Sequence, residues 1–386
     1  MRILMLNYEF PPIGGGGGIV TYYLAQNMAQ MGHDVYLVTS RFQNLPKDEE
    51  LDGFKIHRVP VLRKRADVCQ VHEMFTYVLS ASLYSLKFAK KFQPDIVQLF
   101  FGIPSGPVAY LLKKLYNLPY VVFLGGRDVP RPNPDPPYYR LLYPILAPAI
   151  KSIWGNAAAV VACSDGLREL AWKTDKNAKI KVIPDGIDLS KFHPVQRKTE
   201  PTVVRILTIA RLIPRKGVQY LIQAIAEVIK NTQREVEVEI VGDGPMREAL
   251  VQLAVTLNVS HKLHFVGAVP YEHLAKHYQE ADIFVLSSLA EGMPLVVLEA
   301  MASGLPIVAS KVQGIEDLVE MGRNGYLFTP TDWRALARRL VTVINDGQRR
   351  MAMGQESIKL VQKYDWKNIA KAYLEIYRDV LLDSTD

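Results

Sequence analysis

Short apolar runs rich in branched side chains alternate with longer stretches of helical periodicity along the whole chain. In the first half RILMLN, DVYLVTS, FKIHRVP, IVQLF, YVVFL and AAVVACS read as strands, with helical patterns over Ile19–Met31 and Met74–Lys91 among those between them. In the second half VRILTIAR, VEVEIVGDG, LHFVGAV, ADIFVLSS, PIVAS and NGYLF repeat the alternation. Such alternation predicts an α/β chain of parallel sheets flanked by helices. The polar, proline-containing stretch Phe192–Thr202 separates the halves. The organisation predicted is an N-terminal domain over residues 1–190, a linker over 191–202, a second domain over 203–364 and an amphipathic closing helix over 365–386 returning to the first domain. In two doubly wound domains facing one another, the loops at the strand C-termini converge on the cleft between them.

Composition sharpens this picture at a few points. At 386 residues the chain is too long for one core, because single cores stop growing at about 250–300 residues. Apolar residues make up 49% and charged residues 22%, the balance of a water-soluble enzyme. No apolar run reaches the roughly 18 residues of a membrane span, and the first residues read as a strand rather than a secretory signal. Cys69 and Cys163 lie in unrelated segments without metal-ligand spacing, which suits a reducing, cytoplasmic setting. The net charge of +7 gathers mainly in the first half and near the end. Arg63-Lys-Arg65, Lys87 with Lys90-Lys91, and Lys113-Lys114 are spaced for peripheral contact with an anionic membrane or for attracting phosphorylated substrates. Solvated helix faces explain them equally simply. No pattern for nucleic acid appears.

The densest chemistry lies in Glu291-Gly-Met-Pro-Leu-Val-Val-Leu-Glu299. Ala281–Ser288 is a buried strand, Glu291, Gly292 and Met293 form a loop, and Pro294 suits the first turn of a helix running from Leu295 to Ser303. Gly304 supplies the left-handed stop. The N–H groups of Met293, Leu295 and Val296 then face an anion or sugar oxygens. Glu291 sits at the mouth and Glu299 about one turn in, where a carboxylate accepts the two hydroxyls of a ribose. Capping and solvation are the plainer roles for both.

Gly14–Gly18 follows the first strand and opens a helix, but it is no dinucleotide fingerprint. Tyr8–Ile13 intervenes, and Asp34 stands at the start of the second strand rather than its end. The run reads as a flexible wall whose backbone approaches a ligand closely. Ala210-Arg-Leu-Ile-Pro-Arg-Lys-Gly217 places Arg211 and Lys216 at a strand end and a helix start, the two edges of a phosphate site. Gly242-Asp-Gly-Pro245 is a tight turn into the next helix.

Arg211 with Lys216, the Gly242–Pro245 turn and above all Glu291-x7-Glu299 resemble the retaining glycosyltransferases of family 4, which have the GT-B fold of two Rossmann-like domains. Ser164-Asp-Gly-Leu-Arg168, Ile183–Asp188, Ala300–Pro306, Gly322-x-Asn-Gly325 and the Trp366 segment extend the resemblance over nearly the whole chain. The resemblance implies transfer of a sugar from a nucleoside diphosphate sugar to an acceptor hydroxyl, with retention of configuration and without a cofactor or bound metal. The acceptor would be a sugar or a lipid-linked molecule. Arg211 and Lys216 would bind the diphosphate and Glu299 the ribose. Glu291 with the backbone of Gly292, Met293, Pro294 and Leu295 would hold the transferred sugar. Gly15, Gly16 and Gly17 would approach the phosphates, Gly242 would line the donor site, and the base would lie against Phe265-Val266-Gly267.

One departure stands out. Many relatives carry a histidine in the loop after the strand that is Tyr120–Leu124 here, and this chain has Gly125-Gly-Arg-Asp128 instead. Asp128 is then a candidate for the acceptor side, with a buried capping aspartate as the alternative. Val129–Tyr139 is too proline-rich for a helix and reads as an acceptor-side loop. A nucleotide-sugar epimerase or a phosphorylase-type transferase of the same fold are the competing activities, and a binding-only protein is a third alternative.

Overall fold

The computed structural model of the chain describes residues 1–66, 69–125, 128–130, 137–195 and 200–383. Arg127, the central part of the proline-rich 129–139 stretch and residues 196–199 of the linker lie outside the described residues. The described residues fall into two compact units, one reaching to Asp185 and resuming at Trp366, the other Gly186–Asp365.

The first unit holds an eight-stranded sheet of β1 (Arg2–Leu6), β2 (Asp34–Ser40), β3 (Asp48–Leu51), β4 (Phe54–Val59), β5 (Ile96–Phe100), β6 (Tyr120–Leu124), β7 (Ala159–Ala162) and β8 (Ile180–Val182). Its order is β3-β4-β2-β1-β5-β6-β7-β8, parallel except for β3 against β4. Every residue of β5 and β6 is buried, as a parallel strand covered on both faces requires. That is why these strands read as unbroken apolar runs. β3 (DEEL) is acidic at three of its four positions and escapes hydrophobic pattern reading, because an antiparallel edge strand needs no apolar face.

Helices α1 (Gly16–Gln30), α2 (Val71–Phe92), α3 (Ser105–Tyr116), α4 (Pro137–Gly155) and α5 (Asp165–Trp172) connect the strands. Two differ from the sequence expectation. α1 starts at Gly16 rather than Ile19, so most of the glycine run is helix rather than loop. The Asn7 side-chain amide and the Thr21 hydroxyl both donate to the Gly17 carbonyl and hold that first turn. α4 begins at Pro137, inside the stretch expected to be non-helical. Proline is well suited to the first helical position, where its missing N–H costs nothing. Arg63 also departs from its assignment to a basic surface cluster. It is buried, and its guanidinium donates to the carbonyls of Tyr8, Arg65 and Ala66.

The second unit holds β9 (Val203–Ile209), β10 (Glu235–Val241), β11 (Leu263–Gly267), β12 (Ile283–Leu286), β13 (Ile307–Ser310) and β14 (Gly325–Phe328), ordered β11-β10-β9-β12-β13-β14 and all parallel. Its helices are α6 (Val218–Asn231), α7 (Arg247–Thr256), α8 (Leu274–Glu280), α9 (Leu295–Ala302), α10 (Trp333–Asn345) and α11 (Gly347–Val361). α6 and α10 pack one face of the sheet through Leu221, Ile225, Leu336 and Leu340, all fully buried. Phe192 belongs to this unit, edge-on to Tyr271 and Tyr278.

The last helix, α12 (Trp366–Asp383), packs in the first unit. Trp366 stacks on Tyr23 at 5.5 Å, and the buried Tyr377 hydroxyl donates to Gln98 at 2.7 Å. Among the described residues no helix is long and apolar enough to cross a membrane.

Both sheets contain a point where strand order reverses. In the first unit it lies between β1 and β5, in the second between β9 and β12. In open α/β sheets, ligands bind beyond the strand C-termini at such points. The glycine run follows β1, and the Arg211–Lys216 and Glu291 loops follow β9 and β12.

Candidate active site

In the second unit the loops leaving β9 and β12 are stitched together. The Leu289 amide donates to the Arg215 carbonyl at 2.8 Å, and the Ser287 hydroxyl donates to the Gly217 carbonyl at 2.9 Å. Lys216 Nζ donates to Glu291 Oε1 at 2.5 Å. Gly217 permits the approach. It adopts φ +61°, and a Cβ there would stand 2.1 Å from the Ser287 carbonyl oxygen.

The sequence placed Lys216 and Glu291 at separate tasks; the fold makes them one ion pair, 15% and 8% exposed. Burial pushes the Glu291 carboxyl up, but the Lys216 ammonium and its hydrogen bond outweigh that, so the carboxyl is held below its ordinary range. Burial lowers the Lys216 ammonium, and Glu291 opposes the fall. Arg215 and the exposed Arg211 lie near enough to act on Lys216 electrostatically. Arg215 acts on both members of the pair and Arg211 on Lys216, so the group carries an excess of positive charge that can stabilise an anionic leaving group.

Gly292 and the buried Met293 lead from Glu291 to α9. Pro294 stands at the cap with extended backbone, one position before the helical turn expected for it. The Val297 amide donates to the Pro294 carbonyl at 3.0 Å. The amides of Leu295 and Val296 lie in the first turn, where no preceding turn supplies a carbonyl. Gly242 leaves β10 with its amide donating to the Gly267 carbonyl at 2.7 Å, beside the exit from β9.

Glu299 is buried on α9 and accepts from the Tyr278 hydroxyl at 2.6 Å. That hydrogen bond takes one of the carboxylate's roughly four acceptor positions. Burial pushes its pKa to about 7, with the Tyr278 hydrogen bond and the Lys191 charge pulling the other way. Neither partner was legible in the sequence: Tyr278 lies 21 positions away on α8 and reads as ordinary helical core. The raised pKa has a consequence for stability. A carboxyl whose folded pKa exceeds its unfolded value stabilises the fold below about pH 4, and that contribution is lost as pH rises through about 7. Glu299→Gln stays neutral, so its unfolding temperature is expected to gain on that of the parent between about pH 5 and about pH 8. A constant difference in thermal melts across that range would show that Glu299 is not the group concerned.

Val266 does not join this group. Its side chain lines a groove of about 500 Å³ between β11 and α8 with Glu239, His264 and His277. Strand alternation explains the split, since Phe265 points to the other face and packs against the core.

In the first unit the glycine run divides. Gly15 and Gly16 are exposed, and a Cβ at Gly15 would meet nothing within 4 Å. Gly17 is dictated by packing, because a Cβ there would lie 2.3 Å from the Phe101 ring. Phe101 follows β5 with φ +67° and also fills the space over Gly125. Asp128 is buried and accepts from the amides of Gly125 at 2.9 Å and Ile103 at 3.4 Å. Burial pushes its pKa to about 7 against those hydrogen bonds. This geometry is the capping arrangement, which ties the loop after β6 to the loop after β5.

Comparison with known proteins agrees with the fold. Residues 14–191 match the family model for Glycosyltransferase Family 4, and residues 191–360 match that for Glycosyl transferases group 1. An uncharacterised glycosyltransferase of Methanocaldococcus jannaschii is 28% identical over 404 residues, covering 98% of each chain. Among solved structures, the sucrose-phosphate synthase of Thermosynechococcus elongatus superposes with a TM-score of 0.83 at 24% identity, covering 99% of this chain and 100% of that one. Anabaena HepE in complex with UDP-glucose superposes with a TM-score of 0.76 at 19% identity, covering 98% of this chain and 100% of that one. With both family models placed end to end and both sheets of the expected build, the chain belongs to the group 1, family 4 glycosyltransferases of GT-B fold.

Proposed function

We propose that the enzyme moves a sugar from a UDP- or GDP-sugar to an acceptor hydroxyl with retention of anomeric configuration, in glycan or glycolipid biosynthesis in the cytoplasm. The observation that carries this reading is the Lys216–Glu291 pair, set with Arg211 and Arg215 at the strand-order reversal of the second unit. The UDP-glucose bound by the Anabaena neighbour supports the donor class. Neither Cys69 nor Cys163 is in a disulfide, in keeping with a reducing compartment.

Arg211 and Lys216 hold the diphosphate, and the acceptor positions of Glu299 not taken by Tyr278 accept from the ribose. Glu291 and the amides at the start of α9 hold the transferred sugar. Gly15 and Gly16 offer open backbone to the phosphates. As the bond from the anomeric carbon to the phosphate oxygen breaks, the cations stabilise the charge developing on the diphosphate. The acceptor oxygen bonds to the anomeric carbon on the same face, and its proton passes to the departing phosphate oxygen. Asp128 acts as a positioning residue for the loop it caps. The cations do the work that a divalent metal does in other transferases, so no metal is required.

The test is turnover of UDP- and GDP-sugars with an acceptor panel, read by the anomeric coupling of the product. An α-linked donor is expected to yield an α-linked product at the same rate with a chelator present. An inverted product would overturn retention, and activity lost to the chelator would overturn metal independence. Sugar phosphate formed on adding inorganic phosphate would assign a phosphorylase instead.

A further inference from the structure

α2 carries Phe75, Leu79 and Leu83 at four-residue spacing, 71%, 64% and 59% exposed. Each such step turns about 40° around the helix, so the three share one outward face of roughly 80°. Buried positions on the opposite side, Tyr77 and Ala81, hold the helix to the sheet. Further along the outer face come Lys87, Lys90 and Lys91, all exposed. α3 packs beside α2, and the Tyr116 hydroxyl at its end donates to the Leu86 carbonyl at 3.1 Å. It adds Leu115, 60% exposed, next to the exposed Lys114.

Neither helix shows a carboxylate to solvent. Glu73 is the one acidic residue on the pair, and it is buried in the capping box that starts α2. Large apolar side chains clustered in the open mark an interaction surface. The lysines that continue it choose the partner: apolar groups enter a bilayer interface while lysines meet anionic headgroups. A second copy of the chain would set these lysines against themselves.

We infer that the outer faces of α2 and α3 dock the protein on an anionic lipid surface. The Gly14 amide donates to the Ala66 carbonyl at 2.8 Å, so the segment leading into α2 is tied to the glycine run. The inference stands on the exposed faces alone and does not depend on the donor site.

The test is co-sedimentation of the full chain with vesicles of phosphatidylglycerol in phosphatidylcholine, against phosphatidylcholine alone. Binding to the anionic vesicles and not to the neutral ones is expected. Each lysine near such a surface is worth about fivefold in partition, so K87E/K90E/K91E should lose about 100-fold. The variant F75S/L79S/L83S should lose at least about tenfold. All these positions are exposed, and thermal melts and donor binding should match the parent for both variants. Equal binding to both vesicle types, no binding to either, or binding indifferent to both variants overturns the inference. A dimer in solution that the serine variant dissolves and the glutamate variant leaves intact also overturns it, assigning the face to a second copy.

Discussion

Lys216→Ala is expected to lower turnover by at least about 100-fold, the scale on which removal of a preorganised electrostatic group acts. The same substitution leaves Glu291 buried without its partner, and breaking such a pair destabilises by about 3–5 kcal/mol. Activity could then fall merely because the β9 and β12 loops come apart. The double variant Lys216→Ala/Glu291→Gln separates the two causes. It leaves no buried charge at the pair, so thermal stability should recover toward that of the parent while turnover stays low. Steady-state rates and melts on the parent, Lys216→Ala, Glu291→Gln and the double variant decide the matter, with Glu291→Gln as the reference for the double. Recovery of turnover along with stability would show that Lys216 serves the fold and not the reaction.

Gly217→Val is the second large effect expected, and it comes from the backbone. The residue sits at φ +61°, and its Cβ would fall 2.1 Å from the Ser287 carbonyl oxygen. A β-branched residue resists that left-handed conformation and cannot share the space. The loop after β9 must retreat from the loop after β12, breaking the Ser287–Gly217 hydrogen bond and drawing Lys216 from Glu291. A loss on the order of 3 kcal/mol or more is expected, with turnover falling together with it. Denaturant unfolding measures the first and donor turnover the second. A variant of parental stability would mean that the two loops do not pack as closely as described.

Much of the architecture was legible because its signals are local. Parallel strands buried on both faces must be short apolar runs, so β5, β6 and β12 announced themselves. Glu291 and Glu299 could be placed around a helix start because proline and the loop glycine restrict where that helix begins. The glycine run was read too simply as open wall. Its middle is governed by Phe101, which lies more than 80 positions away and touches Gly17 only once β1 and β5 pair.

The sequence by itself determined two α/β halves, the strand-end loops that carry Arg211, Lys216, Glu291 and Glu299, and the absence of a histidine after β6. Periodicity and spacing act over a few residues, and those features need nothing more. Tertiary structure alone decided which groups meet. Lys216 and Glu291 stand 75 positions apart and become partners because β9 and β12 are neighbours at the reversal of strand order. Glu299 acquires Tyr278 and a raised pKa from helix packing that no spacing encodes. The same holds for α2, whose leucines at Leu79 and Leu83 have the periodicity of any core helix. Only the packed sheet shows that its buried face is the opposite one, because coverage depends on what the fold places alongside.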